Sequence, residues 1–155
     1  MFMEAVIFMG IQAAGKSSFY RERFFNTHIR INLDMLKTRH REKLIFQACL
    51  EAKQRFVIDN TNPSLEDRSR YIIPAKEKGF QIVGYYFDAN LEECKTRNKE
   101  RSPEQVIPTV GVIATYKKLV KPTFSEGFDV LYSVKIAPKN TFIVKEWTRD
   151  IERNI

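Results

Sequence analysis

The sequence predicts a three-layer α/β fold built around a mostly parallel central sheet. Three observations carry this. Short apolar runs such as Ala5–Met9 and Phe80–Phe87 alternate with longer helical patterns, the order that parallel βαβ units produce. The first run is apolar throughout, with no polar residue interleaved, as in a strand buried on both faces. No repeat, low-complexity stretch or Gly/Ser linker interrupts the 155 residues, which reads as a single domain over 1–155.

The elements follow in order. Ala5–Met9 is the first strand, with a helix from Lys16 to about Phe25 after it. Ile29–Leu33 is a second short strand. A helix is expected from about Asp34 to Gln54, where Leu44, Ala48, Leu50 and Ala52 are good helix formers. Phe56–Asp59 is the third strand. Leu65–Lys78 is a helix closed by Gly79, the residue type favoured just past a helix end. Phe80–Phe87 is the fourth strand. Asn90 with Glu93 resembles a capping box, opening a helix to about Arg101, because Pro103 disfavours helix at Ser102. A further helix is expected over Glu104–Lys121. Asp129–Ile136 and Thr141–Trp147 read as closing strands, an antiparallel addition to the sheet.

Composition narrows the class. With 43% hydrophobic and 29% charged residues, 6 Gly and 6 Pro, collagen-like and broadly disordered proteins are excluded. No apolar run approaches the ~18 residues of a membrane span. The first nine residues carry neither a basic leader nor an A-x-A cleavage site, so no signal peptide is expected. Cys49 and Cys94 lie far apart without CxxC or Cys/His clustering, which offers neither a disulfide framework nor a zinc site and suits a reduced, cytoplasmic protein. The charge is lopsided: 26 Lys and Arg against 19 Asp and Glu give +7 and a pI near 9.5, a field that favours polyanions.

One segment carries chemistry outright. Gly10-Ile11-Gln12-Ala13-Ala14-Gly15-Lys16-Ser17 fits G-x-x-x-x-G-K-[ST] and sits directly between a buried strand and a helix, the context this motif requires. Backbone N–H groups of such a loop, together with the positive end of the helix, cradle phosphates. Lys16 would reach the β/γ-phosphates and Ser17, with Ser18 beside it, a place around Mg²⁺. The chain is expected to bind a nucleoside triphosphate.

Two carboxylates stand near it. Asp59 ends an apolar strand, and ligands of parallel α/β sheets sit beyond the carboxyl ends of strands. It can accept from Ser17 or hold a metal-bound water; the plain alternative is a turn or capping Asp. Asp34 is either the cap of the following helix or a base taking the proton of an attacking hydroxyl. Arg97 and Arg101 are four apart and share a helix face; they suit phosphate oxygens, or form a solvated basic face. Residues 95–121 hold seven Lys/Arg against two Glu. His28 and His40 read as structural or surface residues, and Phe19, Phe24, Phe25 and Phe46 as core.

Taken together, Gly10…Lys16-Ser17-Ser18, Ile31-Asn32-Leu33-Asp34, Val57-Ile58-Asp59-Asn60-Thr61-Asn62-Pro63 with Arg68, Arg70 and Tyr71, Leu91-Glu92-Glu93…Arg97…Arg101, and Pro122-Thr123-Phe124-Ser125-Glu126-Gly127-Phe128 resemble the kinase domain of 5′-hydroxyl polynucleotide kinases over residues 5–136. The resemblance implies a three-layer P-loop NTPase, adenylate-kinase-like, with a mostly parallel central sheet. It also implies ATP and Mg²⁺ on residues 10–18, Asp34 as general base, Arg97 and Arg101 as lid arginines, and Asp59 with Asn60 ordering the acceptor and a metal-bound water. Where the phage member has an arginine three residues beyond the base, contacting the acceptor phosphate, this chain has Lys37, a point charge without the bidentate fork. No phosphatase or ligase domain fits in 155 residues, so a stand-alone kinase is expected. The expected acceptor is the 5′-OH end of RNA or DNA; a small-molecule kinase and a non-catalytic ATP-binding module are the alternatives.

Overall fold

Alternation along the first strand divides the core in two. Ala5, Ile7 and Met9 pack on one side of the sheet, Val6 and Phe8 on the other, and all five are fully buried. A strand covered on both faces belongs at the centre of a sheet. The computed structural model describes residues 3–149, in the order β1 (Glu4–Met9), α1 (Lys16–Arg23), β2 (Ile29–Ile31), α2 (Leu33–Leu36), α3 (Arg39–Ala52), β3 (Phe56–Ile58), α4 (Leu65–Glu77), β4 (Gln81–Phe87), α5 (Leu91–Lys99), α6 (Thr109–Lys118), β5 (Val130–Ala137) and β6 (Thr141–Glu146). Residues 1, 2 and 150–155 of the expected domain lie outside the described residues.

The strands pair in the order β2-β3-β1-β4-β5-β6. Pairing is parallel from β2 through β5, and β6 is added antiparallel to β5, as expected. Helices α3 and α4 cover one face through Phe46, Cys49, Leu50, Tyr71, Ile72 and Ala75. On the other face Phe19 and Tyr20 of α1, Cys94 of α5 and Val112 of α6 pack around Phe8 and Phe87. The fold is the three-layer α/β sandwich that the alternation predicts. Cys49 and Cys94 are free thiols buried on opposite faces, and burial pushes both pKa values up. Among the described residues, no helix is long and apolar enough to cross a membrane.

The structure differs from the sequence reading in four places, each with a local cause. Strand β2 stops at Ile31 because the Asn32 side chain accepts the Met35 N–H at 2.9 Å and opens α2. Asp34 therefore lies inside the first turn of a helix rather than at a strand end, and it is not the cap. The helix expected over 34–54 is broken after Leu36: Lys37 turns into φ 75, and Thr38 starts α3 by accepting the Arg41 N–H. The helix expected over 104–121 begins only at Thr109, since Pro108 occupies its N-cap and a short 3₁₀ turn, Pro103–Gln105, precedes it. Phe25 is 68% exposed instead of core. His28 is structural: its Nε2 lies 2.9 Å from Glu4 Oε1, and its ring packs edge-on against Phe24.

The phosphate loop rests on a buried frame. Thr61 O accepts the Gly10 N–H at 3.0 Å, and the Asn62 side chain donates to Phe8 O at 2.7 Å. Arg68, with no exposed surface, holds this segment to the far end of the chain. Its Nε donates to Asn62 O at 3.0 Å, and its Nη1 meets both Glu126 oxygens at 3.2 and 3.1 Å. Its Nη2 donates to Pro63 O and Val120 O. Glu126 in turn forms a capping box with Thr123. The Asp-Asn-Thr-Asn-Pro and Pro-Thr-x-x-Glu-Gly-Phe segments are thus two halves of one structural clasp.

Removing one partner of a buried ion pair leaves the other charge desolvated and unpaired. Arg68→Ala is expected to lower unfolding free energy by about 3–5 kcal/mol. The Arg68→Leu/Glu126→Leu pair should cost clearly less than the sum of its single changes. Urea unfolding of wild type, Arg68→Ala, the two Leu single variants and the Leu double variant checks both statements; additive losses would show that the two charges do not depend on each other.

Candidate active site

The loop after β1 is shaped by close approach. A Cβ on Gly10 would sit 2.8 Å from Phe87 Cβ, and Gly15 adopts φ +99 as the N-cap of α1, which no side chain caps. The first amides of α1 are therefore available to an anion. Ile11 and Ala14 are buried in the core, and the Gly10 N–H is already given to Thr61. These three residues shape the loop without lining the cleft, whereas Gln12, Ala13, Gly15, Lys16, Ser17 and Ser18 do line it.

Lys16 is folded back onto its own loop. Its Nζ donates to Gly10 O at 3.0 Å and Ile11 O at 2.7 Å. Burial lowers its pKa to about 8, partly opposed by the charge of Asp59. Ser17 Oγ donates to Asp59 Oδ2 at 3.0 Å, the pairing the strand-end position predicts. Asp59 is 1% exposed, and it accepts a second bond that sequence reasoning missed: Arg30 Nε at 2.8 Å. Arg30 Nη2 also reaches Ser17 Oγ, at 2.9 Å. The signal was weak, because an Arg inside a three-residue strand carries no motif.

Opposite the loop, Asp34 opens onto the cleft. It is exposed and, among the described residues, makes no hydrogen bond or ion pair. Its helix is tied down by Asn60, whose Oδ1 accepts the Leu33 N–H at 2.9 Å while Nδ2 donates to Glu42 and to the Tyr71 hydroxyl. Asn60 lines the cleft, but its amide is spent on this support. Buried Glu42 also accepts from Arg39 at 2.9 Å and Tyr71 at 3.0 Å. Arg39 and Arg70 line the cleft near Asp34, whereas Lys37 does not. The cation expected three residues past Asp34 is displaced because Lys37 sits in the break between two helices.

Arg97 and Arg101 both reach the site. Arg97 Nε donates to Ala13 O at 2.8 Å, and Arg101 lines the cleft beside it. Gln12 Nε2 donates to Thr115 at 3.1 Å, tying the loop to α6; among the described residues its buried Oε1 has no partner. The cleft encloses about 1090 Å³ and is lined by eight cationic side chains against three carboxylates. Only Arg97, Arg101 and Lys118 of the basic 95–121 window are among them. Arg21, Arg30, Arg39 and Arg70 come from α1, β2, α3 and α4.

The donor set suits a hard divalent cation only in part. Ser17 and Asp59 offer oxygen donors of the type Mg²⁺ prefers. Among the described residues no cluster of three or more His, Cys, Asp or Glu side chains could hold a metal alone. Phosphate oxygens and waters would have to complete the shell, which is the usual habit of Mg²⁺.

Comparison with known proteins bears on the family and the fold. The bifunctional polynucleotide phosphatase/kinase of Schizosaccharomyces pombe is 27% identical over 129 residues, covering 81% of this chain and 32% of that protein. A similarly named protein of Acanthamoeba polyphaga mimivirus is 30% identical over 138 residues, covering 84% of this chain and 33% of its own. The chain spans about a third of the length of these curated relatives. A gluconokinase from Sinorhizobium meliloti 1021 shares the fold with a TM-score of 0.60 at 16% identity, over 88% of this chain and 84% of that one. The sequence profile of the AAA domain family matches residues 37–123, more than half of the chain. With its phosphate loop on β1 and α1, the chain belongs to the AAA domain family as a nucleotide-binding P-loop domain.

Proposed function

We propose that residues 1–155 act as an ATP- and Mg²⁺-dependent kinase domain that transfers the γ-phosphoryl group to a hydroxyl, the 5′-OH end of an RNA or DNA strand. One observation supports this above the rest: the carboxylate of Asp34, unpartnered among the described residues, opens onto the same cleft as Lys16. A module that only held nucleotide would have no use for a free carboxylate there.

The roles follow from position. Lys16, released from the Gly10 and Ile11 carbonyls, meets the charge on the β/γ-phosphates, and Arg97 and Arg101 cover it from the lid. Ser17 and Asp59 would hold Mg²⁺, which would supply positive charge against that of the triphosphate. Asp34 takes the proton of the acceptor hydroxyl as it attacks. The excess of cations outside the lid favours an acceptor that is itself a polyanion, as do the names of the two sequence relatives. Free, buried cysteines suit a cytoplasmic setting.

Labelled ATP with Mg²⁺, offered to 5′-OH oligonucleotides, mononucleotides and small alcohols, tests the reading. Label on oligonucleotides is expected. Label confined to a small alcohol would move the chain to the small-molecule kinases, and ATP retained without transfer would make it a binding module.

Three outcomes are specific to the geometry. Asp34→Asn should leave nucleotide affinity nearly intact while single-turnover transfer falls by about 10²–10⁴-fold. Stability should not change, since Asn32, not Asp34, caps α2. Oligonucleotide affinity should fall with salt at a log–log slope of about −0.7 per neutralised phosphate of a single strand; a flat response would remove backbone contacts from recognition. The third concerns pH. The pKa of Lys16 is lowered to about 8 in the free protein, and phosphate charge raises it on binding. Above pH 8 the free side chain is neutral, so binding takes up to about one proton and affinity falls as pH rises. Calorimetry at pH 8.5–9 in buffers of unlike ionisation enthalpy reads this uptake, which Lys16→Met should abolish.

A further inference from the structure

The phosphate-loop hydroxyl and the carboxylate at the end of β3 are the two protein oxygens that suit a divalent cation, and both are already bonded to a cation of the chain. Arg30 Nε donates to Asp59 Oδ2 at 2.8 Å and Nη2 to Ser17 Oγ at 2.9 Å, while Ser17 donates to the same Asp59 oxygen at 3.0 Å. The three groups form a closed triangle. Asp59 is almost wholly buried, and a buried carboxylate needs a counter-charge. Lys16 is aimed at its own loop carbonyls, so Arg30 is the cation that contacts Asp59 directly.

We infer that Arg30 is a resident cation that keeps the metal position closed until nucleotide arrives. This rests on the nucleotide-and-metal part of the proposed function and is independent of the acceptor. Ser17 Oγ and Asp59 Oδ2 each already give a lone pair to Arg30. A divalent ion alone must therefore displace a bonded guanidinium from a buried carboxylate, with no phosphate oxygens to complete its shell. When triphosphate supplies those oxygens, the exchange becomes favourable. Arg30 is free to give way, because its side chain remains 26% exposed and its Nη1 lies 3.9 Å from Met35 Sδ, on the residue next to Asp34. Entry of the metal thus moves a guanidinium toward the side of the cleft that holds the proposed base. Arg30 is a positioning residue in this scheme, with no part in any bond made or broken.

The test is a gain of binding, which a merely structural role for Arg30 would not produce. Mn²⁺ alone, a hard cation visible by electron paramagnetic resonance, is titrated into the wild-type chain, Arg30→Gln, and Arg30→Gln/Asp59→Asn, without nucleotide. Arg30→Gln should bind one Mn²⁺ at least about tenfold more tightly than wild type, the modest end of couplings between close charges. The double variant should lose that gain. Equal Mn²⁺ affinity in wild type and Arg30→Gln overturns the inference, whether or not the chain phosphorylates any acceptor. Should Arg30→Gln fail to fold, the wild type decides: its Arg30 Nε–H resonance should hold its shift with a non-hydrolysable ATP analogue alone and move when Mg²⁺ is added with that analogue. The same shift in both states overturns the inference.

Discussion

A fully buried guanidinium sets the geometry of the site. Arg68 sits on α4, outside the cleft, and its five donors are directed at Asn62, Pro63, Val120 and Glu126. Those groups belong to the loop after β3 and to the segment leaving the lid. The β3 loop, through Thr61 and Asn62, holds Gly10 and Phe8 at the start of the phosphate loop. Position is thus passed from Arg68 to the loop that would carry phosphate. Burying such a charge costs several kcal/mol and is compensated only where every donor finds a partner. That all-or-nothing requirement places the loop and the lid in one register.

The cleft follows a different electrostatic logic. Its walls carry far more positive than negative charge, a condition that destabilises the free protein by self-repulsion. Part of that charge is parked on neutral or buried acceptors: Lys16 on two carbonyls, Arg97 on the Ala13 carbonyl, Arg30 on Asp59, Arg39 on Glu42. Contacts to carbonyls are weaker than charge-assisted bonds to phosphate oxygens. Phosphate oxygens would therefore gain by replacing the carbonyl contacts of Lys16 and Arg97, whereas the two ion pairs are held more firmly.

How much of this could be read from sequence depends on the range of the interaction. The phosphate loop is local: its glycines, lysine and serine act within eight residues, and the buried strand before it and helix after it are equally local signals. Parallel topology was readable for the same reason, because strand and helix periods alternate cleanly. What escaped was set by partners distant in sequence or by competing caps. Asn32 and Thr38 outcompete helix propensity across 34–54, each by capturing an amide three residues on. Pro108, inside the span expected to be helical over 104–121, becomes the N-cap of a helix that starts only at Thr109. Arg30 and Arg39 are held at the cleft, and Glu42 behind it, by contacts with residues 18 to 32 positions away, which no periodicity reveals.

Asp34 and Asp59 show why residue type alone could not separate their roles. Both follow an apolar strand with one carboxylate, and each admitted a structural reading and a chemical one. Surroundings divide them. Asp59 is buried and accepts from Ser17 and Arg30, so its charge is already committed to two partners of the chain. Asp34 is lifted off the strand end by the Asn32 cap and held at the cleft surface by the support of Asn60 beneath Leu33. Two carboxylates in one site can serve different ends when their environments differ this far. The short helix that sequence reading did not foresee is thus the element that frees Asp34: had β2 run on to Leu33, the carboxylate would have stood beside Asp59 at the strand ends, competing with it for the same cations.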